Sequence, residues 1–293
     1  MIGIVIVNYC TWEATKKCVA SIKDNCEMPY RVYIVDNDSP NDSMMQLRAF
    51  YANDETVKLF SSGKNGGYGY GLNYGIDKAI RDDCDAVIAS NNDIHYMPGA
   101  ISNMYDCLKS DDSIGCVGPS QLSMTGEAIC SAQITHDTKL RWACWYFTPM
   151  AKIEIRKYCN RLRKKRRFQA YCPMGGCYML RTSAMPRHGF FEESVFMYCE
   201  ENILGFKLKS AGYKVMISPK AAVIHEHGKT SGHSKSKRKV ESVESLLWYG
   251  KNCLKSGYIA RKLFFFFLRL NLILTHGYTR ENRLRLMKLQ TQK

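Results

Sequence analysis

At 293 residues with 45% hydrophobic content, the chain is long enough to bury one large α/β core or two ordinary ones, which excludes a disordered segment. Its 42 Lys and Arg against 27 Asp and Glu leave a net charge of +15, which calls for an anionic partner: nucleic acid, a nucleotide or phospholipid, or an anionic membrane surface. No stretch supplies the ~20 uninterrupted apolar residues of a membrane-spanning helix. The 13 cysteines show no repeating spacing, and the chain opens directly on IGIVIVNY without a basic leader, so the thiols are expected to be reduced and the protein cytosolic.

Ile2 to Val7 is a short β-rich run that stops at Asn8 and Tyr9. Thr11 then caps a helix whose apolar positions, Ala14, Cys18, Val19 and Ile22, share one face. YRVYIV (30–35) reads as a second strand, ending in the polar cluster Asp36, Asn37, Asp38 and Ser39. Residues 57–60 make a third, followed by a glycine-rich loop and a helix from about Leu72 to Arg81. AVIAS (86–90) is a fourth strand, apolar on both faces, that ends abruptly in Asn91, Asn92 and Asp93. The βαβα alternation predicts a parallel, doubly wound sheet whose ligand lies beyond the carboxyl ends of the strands, which puts Asp93 at a binding site unless Asn92 and Asp93 merely form a turn or cap.

The glycine loop, GKNGGYGYG (63–71), is neither GxGxxG after a first strand nor GxxxxGK[ST], so dinucleotide and P-loop readings fall away. Two readings stay open. Its backbone N–H groups, with Lys64, suit a diphosphate at the start of a helix, or the glycines simply supply positive φ. Further on, Glu200 and Glu201 open a helix through Leu204 and Leu208, where carboxylates are favoured by the helix dipole whether or not they are catalytic. His225 and His227, two apart on a strand, form a transition-metal pair or are structural.

Two stretches flank this pattern. KIEIRKYCNRLRKKRR (152–167) carries no helix-turn-helix, zinc or RNA-binding signature, and suits lipid headgroups, a lipid-diphosphate acceptor or a solvated helix face. RKLFFFFLRLNLIL (261–274) is too short and too charged to span a bilayer. It reads either as a helix lying in the membrane interface or as one packed on the rest of the protein.

In order and spacing, IVIVNY (4–9), IVDNDS (34–39), KNGGYGYGLNYGI (64–76), SNND (90–93), PMGGCYMLR (173–181), FFEESVFMYCEENILGFKLKSAGYKV (190–215) and AVIHEHGKTS (222–231) resemble family 2 glycosyltransferases of the GT-A fold, with a rhamnosyltransferase-like cast. The resemblance implies a Rossmann-like, mostly parallel sheet flanked by helices, with a catalytic domain over residues 1–240 and a helical, basic and aromatic extension over 241–293. It implies an enzyme that moves a sugar, with inversion, from a UDP- or dTDP-type donor to a glycan or lipid-linked acceptor in cell-surface polysaccharide synthesis, at the cytoplasmic face of a membrane.

Carried over by position, Asp36 matches the carboxylate that binds the nucleotide base, with Asn8, Tyr9, Asn37, Lys64, Asn65, Gly66, Asn73 and Asn92 as further donor-nucleotide contacts. Asp93 matches the last carboxylate of the DxD motif that holds Mn²⁺ or Mg²⁺, and His225 the histidine that closes that site, with His227 as second choice. Asn91 replaces the first carboxylate, which weakens a hard-cation site without removing it. Glu201 matches the general base, with Glu200 as its rival, and Gly175 and Gly176 lie in the loop between acceptor and donor sugar. A non-catalytic nucleotide- or glycan-binding module of the same fold and a basic nucleic-acid-binding protein are the alternatives, with nucleic acid the less expected partner.

Overall fold

The computed structural model describes residues 1–130, 136–184, 189–226 and 239–291. His227 lies outside them. β1 (Ile2–Asn8) is buried along its whole length. Ile2, Ile4 and Ile6 face one core with Cys18, Val19 and Ile22 of α1 (Trp12–Asn25), while Val5 and Val7 face another with Leu72, Ile76 and Ala79 of α3 (Tyr68–Arg81). Apolar residues pointing to both sides are what a strand covered on both faces requires.

β2 (Tyr30–Asp36), β3 (Val57–Ser61) and β4 (Ala86–Asn91) complete the parallel part, with α2 (Ser43–Phe50) between β2 and β3. β5 (Ile94–Tyr96), α4 (Ala100–Lys109), β6 (Ile114–Leu122), α5 (Lys139–Ala143), α6 (Thr148–Arg163), β7 (Phe168–Ala170), β8 (Cys177–Arg181), α7 (Glu200–Ser210) and β9 (Lys214–His225) follow. The sheet runs β3-β2-β1-β4-β8-β6-β9-β5, with β7 also on β9. Beyond β4 it is mixed, since β8 is antiparallel to both β4 and β6. The expected parallel order therefore describes β1 to β4, and the rest of the sheet joins it through β8.

α3 starts four residues before the expected Leu72, because Gly67 (φ 93°) turns the chain where a side chain could not go: a Cβ there would stand 2.2 Å from the Phe196 carbonyl oxygen. The Tyr68 N–H donates to that same carbonyl at 3.1 Å. Thr11 does stand before α1, but its hydroxyl makes no capping bond and instead accepts from Asn92 Nδ2 at 2.8 Å.

The chain ends in α8 (Val243–Asn252), α9 (Tyr258–Leu274) and α10 (Arg280–Thr291). These pack on Trp142, Val195 and Ile203 in one apolar cluster. The Trp142 ring stacks on Phe264 at 4.8 Å and 8°, and its Nε1–H donates to the Leu246 carbonyl at 2.8 Å. The four phenylalanines thus divide: Phe264 and Phe265 are core, Phe267 is half-buried against Phe147, and Phe266 is exposed. Among the described residues no helix is long and apolar enough to cross a membrane. In the basic stretch, α6 buries Tyr158 and Leu162 and turns most of its Lys and Arg to solvent.

The expectation of reduced thiols fails at one pair. Cys130 and Cys159 form a disulfide, because α6 lies against Ile129 and Cys130 in a small cluster around Tyr158, Leu162 and Met174.

Candidate active site

The carboxyl ends of β1, β2 and β4 point into a cleft of about 820 Å³. Tyr9, Asn37, Asn65, Asn92 and Asp93 line it from the parallel half; Gly175, Gly176, Glu200, Glu201 and His225 line it from the mixed half. These are ten of the residues assigned from sequence. The cleft also takes Trp145 and Leu246, which no motif announces.

Asp93 lies between β4 and β5, and His225 is the last residue of β9. The pairing of β5 with β9 puts His225 opposite Ile94, so aspartate and histidine meet. His225 Nε2 stands 3.2 Å from Asp93 Oδ1, without hydrogen-bond geometry, and that buried oxygen has no hydrogen-bond partner. Gln121, at the end of β6, explains the ring's orientation. Its Nε2–H donates to the Gly175 carbonyl at 2.8 Å, so its Oε1 is the acceptor for His225 Nδ1–H at 2.9 Å. In its neutral form the ring carries its proton on Nδ1 and offers Nε2, beside a carboxylate oxygen without a hydrogen bond, as a ligand pair for a cation. The donor set thus fits a divalent metal with two protein ligands, its other positions left to diphosphate and water. Among the described residues no cluster of three or more His, Cys, Asp or Glu side chains adds to them.

Glu200 and Glu201 occupy the first turn of α7 and are 5% and 9% exposed. Burial, and then the neighbouring Glu201 charge, raise the Glu200 carboxyl to about 8. Glu201 is also raised by burial, with His225 pulling the other way. Glu200 Oε1 and the Tyr68 hydroxyl are further buried atoms without hydrogen-bond partners at this cleft.

The two glycines join the halves of the site. A Cβ on Gly175 would meet Glu201 Oε1 at 2.3 Å, and one on Gly176, whose φ is +104°, would meet His225 Cε1 at 2.5 Å. The Gly176 carbonyl accepts from Asn91 N–H at 2.7 Å, which anchors the turn to β4.

Five assigned residues are placed elsewhere. Asp36 is buried beneath the cleft, with Oδ2 accepting from Asn8 Nδ2 at 2.7 Å and Ser39 Oγ at 2.8 Å, and Oδ1 accepting from Ser39 N–H at 2.9 Å. Asn8 in turn accepts from Thr15 Oγ1 at 2.7 Å. This network ties β1, β2 and α1 together and leaves neither side chain at the cleft wall. Asn73 clamps the Phe191 segment, donating to the Phe191 carbonyl at 3.0 Å and Glu193 Oε1 at 2.8 Å and accepting from Phe191 N–H at 3.1 Å. Lys64 is exposed with Nζ 4.9 Å from the Tyr70 ring centroid. Gly66 is outside the lining too, its N–H donating to the Lys64 carbonyl at 3.0 Å, and Gly67 N–H donates to Asn65 Oδ1 at 3.3 Å. The loop's donors are largely used within the protein, so glycine here serves close packing. Gln121 was missed, although an amide ending the apolar run IGCVGPSQL is the kind of signal that marks a cleft.

Solved GT-A glycosyltransferases share this mixed α/β fold. GalNAc-T7, solved with UDP, GalNAc and Mn²⁺, superposes with a TM-score of 0.62 at 13% identity over 92% of this chain, which spans 55% of that one. The mannosyltransferase PcManGT of Pyrobaculum calidifontis, solved with GDP-Man and Mn²⁺, gives 0.62 at 13% identity over 98% of this chain and 78% of its own. S. aureus TarS 1-349 with UDP-GlcNAc gives 0.59 at 14% identity over 97% and 78%.

The chain belongs to glycosyl transferase family 2, whose sequence profile matches residues 3–188. A Mycobacterium tuberculosis N-acetylglucosaminyl-diphospho-decaprenol L-rhamnosyltransferase is 27% identical over 243 residues, covering 79% of this chain and 78% of that protein. The protein is a glycosyltransferase.

Proposed function

We propose that the enzyme transfers a hexose of the rhamnose type from a UDP- or dTDP-sugar to a lipid-linked acceptor in cell-surface polysaccharide synthesis, with inversion at the anomeric carbon. One observation carries this reading: consecutive glycines touch the Glu201 carboxylate on one side and the Asp93-neighbouring His225 on the other. A sugar over that turn has a base on its acceptor side and an anion-stabilising pair on its diphosphate side. The M. tuberculosis relative, whose acceptor by name is a sugar-diphospho-polyprenol, supports the acceptor class.

Glu201 removes the acceptor hydroxyl proton as its oxygen bonds to the anomeric carbon, while the bond from that carbon to the diphosphate oxygen breaks and its electron pair leaves with the nucleoside diphosphate. Burial raises the Glu201 carboxyl, which strengthens it as a base. Bound at Asp93 and His225, Mn²⁺ or Mg²⁺ supplies charge stabilisation of the leaving diphosphate. Asn37, Asn65 and Asn92 offer the nucleotide side of the cleft short amides held by neighbours: Asn92 Nδ2 donates to Thr15 Oγ1 at 3.0 Å, and Asn37 Nδ2 to Asn65 Oδ1 at 3.0 Å.

Glu201→Gln keeps the shape and removes the base, so donor binding persists while transfer falls by roughly 10²-fold or more in a single-turnover assay. If Glu200→Gln shows that loss and Glu201→Gln does not, the base is Glu200.

A further inference from the structure

α9 has two apolar faces, and the packing with the rest of the protein uses one. Phe264, Phe265, Leu268 and Leu272 are buried in the cluster around Trp142. On the opposite face Ile259, Leu263, Phe266, Leu270, Ile273 and Leu274 are exposed, from 38% at Leu263 to 76% at Ile259. Ile259, Leu263, Phe266, Leu270 and Ile273 recur at steps of three and four, with Leu274 beside the last, so they form one continuous outward stripe. At 1.5 Å per residue it is roughly 22 Å long. A solvated helix has no reason to place its large apolar residues in register on the water side.

The charges around the stripe identify what covers it. Exposed Lys262 lies along its edge four positions before Phe266, and half-buried Arg269, held by Gln290 Oε1, four before Ile273. α10 packs alongside, with Arg261 Nη2 donating to the Leu289 carbonyl at 2.9 Å, and adds exposed Arg280, Arg283 and Arg285. Glu281 is the single acidic residue on the two helices. An apolar strip rimmed by cations complements the headgroup and acyl boundary of an anionic bilayer, where basic side chains reach phosphate while aromatic and aliphatic ones enter the boundary. A second copy of the chain would meet like charge. A strip one helix wide and about 22 Å long also offers well below the ~800 Å² per partner of a stable dimer.

We propose that the outward stripe of α9 lies in the surface of an anionic lipid bilayer and holds the cleft against lipid-linked acceptor. The geometry links the two: the helix packs on Trp142 and Tyr146, and the neighbouring Trp145 and the α8 residue Leu246 line the cleft. The purpose rests on the lipid-linked acceptor reading; the surface itself does not.

The test is co-sedimentation of the full chain with vesicles of phosphatidylglycerol and phosphatidylcholine, against phosphatidylcholine alone, with no substrate present. The parent protein partitions onto the anionic vesicles and more weakly onto neutral ones. The exposed triple variant Ile259→Ser, Phe266→Ser, Leu270→Ser loses about 10-fold or more of that partition. Lys262→Glu loses about 5-fold on anionic vesicles and little on neutral ones. Unchanged thermal midpoints and nucleotide-sugar affinity in both variants show that the fold is intact. Equal partition of parent and triple variant overturns the proposal, as does a parent that stays in the supernatant. A parent dimer in sedimentation velocity that the triple variant abolishes would assign the stripe to a second copy instead. Transfer to a water-soluble acceptor, measured in parallel, reports on the catalytic reading: its failure leaves the vesicle result standing, and the reverse.

Discussion

Asp36 and Asp93 both follow buried strands and both end in polar clusters, yet the structure gives them opposite situations. Every oxygen of Asp36 has a protein partner, whereas Asp93 Oδ1 has no hydrogen bond and faces His225 Nε2. Which of the two keeps an unpartnered oxygen depends on Asn8 and Gln121 as well as the neighbouring Ser39, and the first two contacts are distant in sequence, so motif position alone could not separate them. The same holds for Asn73, whose partners lie 118 and 120 residues away. Gln121 is predicted to act through His225. Gln121→Leu removes the acceptor for Nδ1–H, frees the ring to turn, and weakens Mn²⁺ affinity about 10- to 100-fold in a direct metal titration. Unchanged affinity would show that the ring needs no orienting partner. Glu200 makes a pH prediction. Its raised native carboxyl keeps a proton that the unfolded chain releases above about 4.5, so it favours the native state below that pH and the advantage declines as pH rises to about 8. Glu200→Gln should therefore flatten the fall in thermal midpoint between those values and raise the midpoint at pH 8. An identical pH profile in parent and variant would mean that Glu200 ionises normally.

β1, β2 and β4 were legible because each is an apolar run of strand length closed by Asn or Asp, and their order follows from the βαβ rule. The start of α3 was not, since Tyr68, Gly69 and Gly71 are poor local evidence for a helix that only the facing sheet and the Phe191 segment stabilise. Nor was the division of α9, whose two apolar faces read from sequence as a single aromatic cluster; only the position of Trp142 decides which face is inside. The last helices share the apolar cluster around Trp142. Trp142→Ala removes a fully buried indole, its stack on Phe264 and its bond to the Leu246 carbonyl, and should cost about 3–5 kcal/mol in urea unfolding. Truncation before Tyr258 should likewise lower the midpoint and expose apolar surface. If it leaves stability unchanged, α9 contributes nothing to the core.

For the whole molecule, a net charge of +15 and a cleft lined by amides and a metal-suited pair describe a protein that attracts an anion at long range and fixes it at short range. The basic face of α6 is exposed, with the helix resting on Tyr158 and Leu162. In the proposed mechanism the parallel half of the sheet supplies the nucleotide side and the mixed half the glutamates and histidine, joined at Gly175 and Gly176. This division gives the central claim a direct measurement: thermal denaturation of the parent, Asp93→Ala and Glu201→Gln proteins across a panel of UDP- and dTDP-sugars, with and without Mn²⁺. A specific donor at about 100 times its Kd stabilises by ~2.7 kcal/mol, a shift of several degrees. The predicted result is one donor that raises the parent midpoint in the presence of Mn²⁺, loses that metal-dependent shift in Asp93→Ala and retains it in Glu201→Gln. A panel in which no nucleotide sugar moves the parent, or in which Asp93→Ala keeps the full Mn²⁺-dependent shift, would contradict the account.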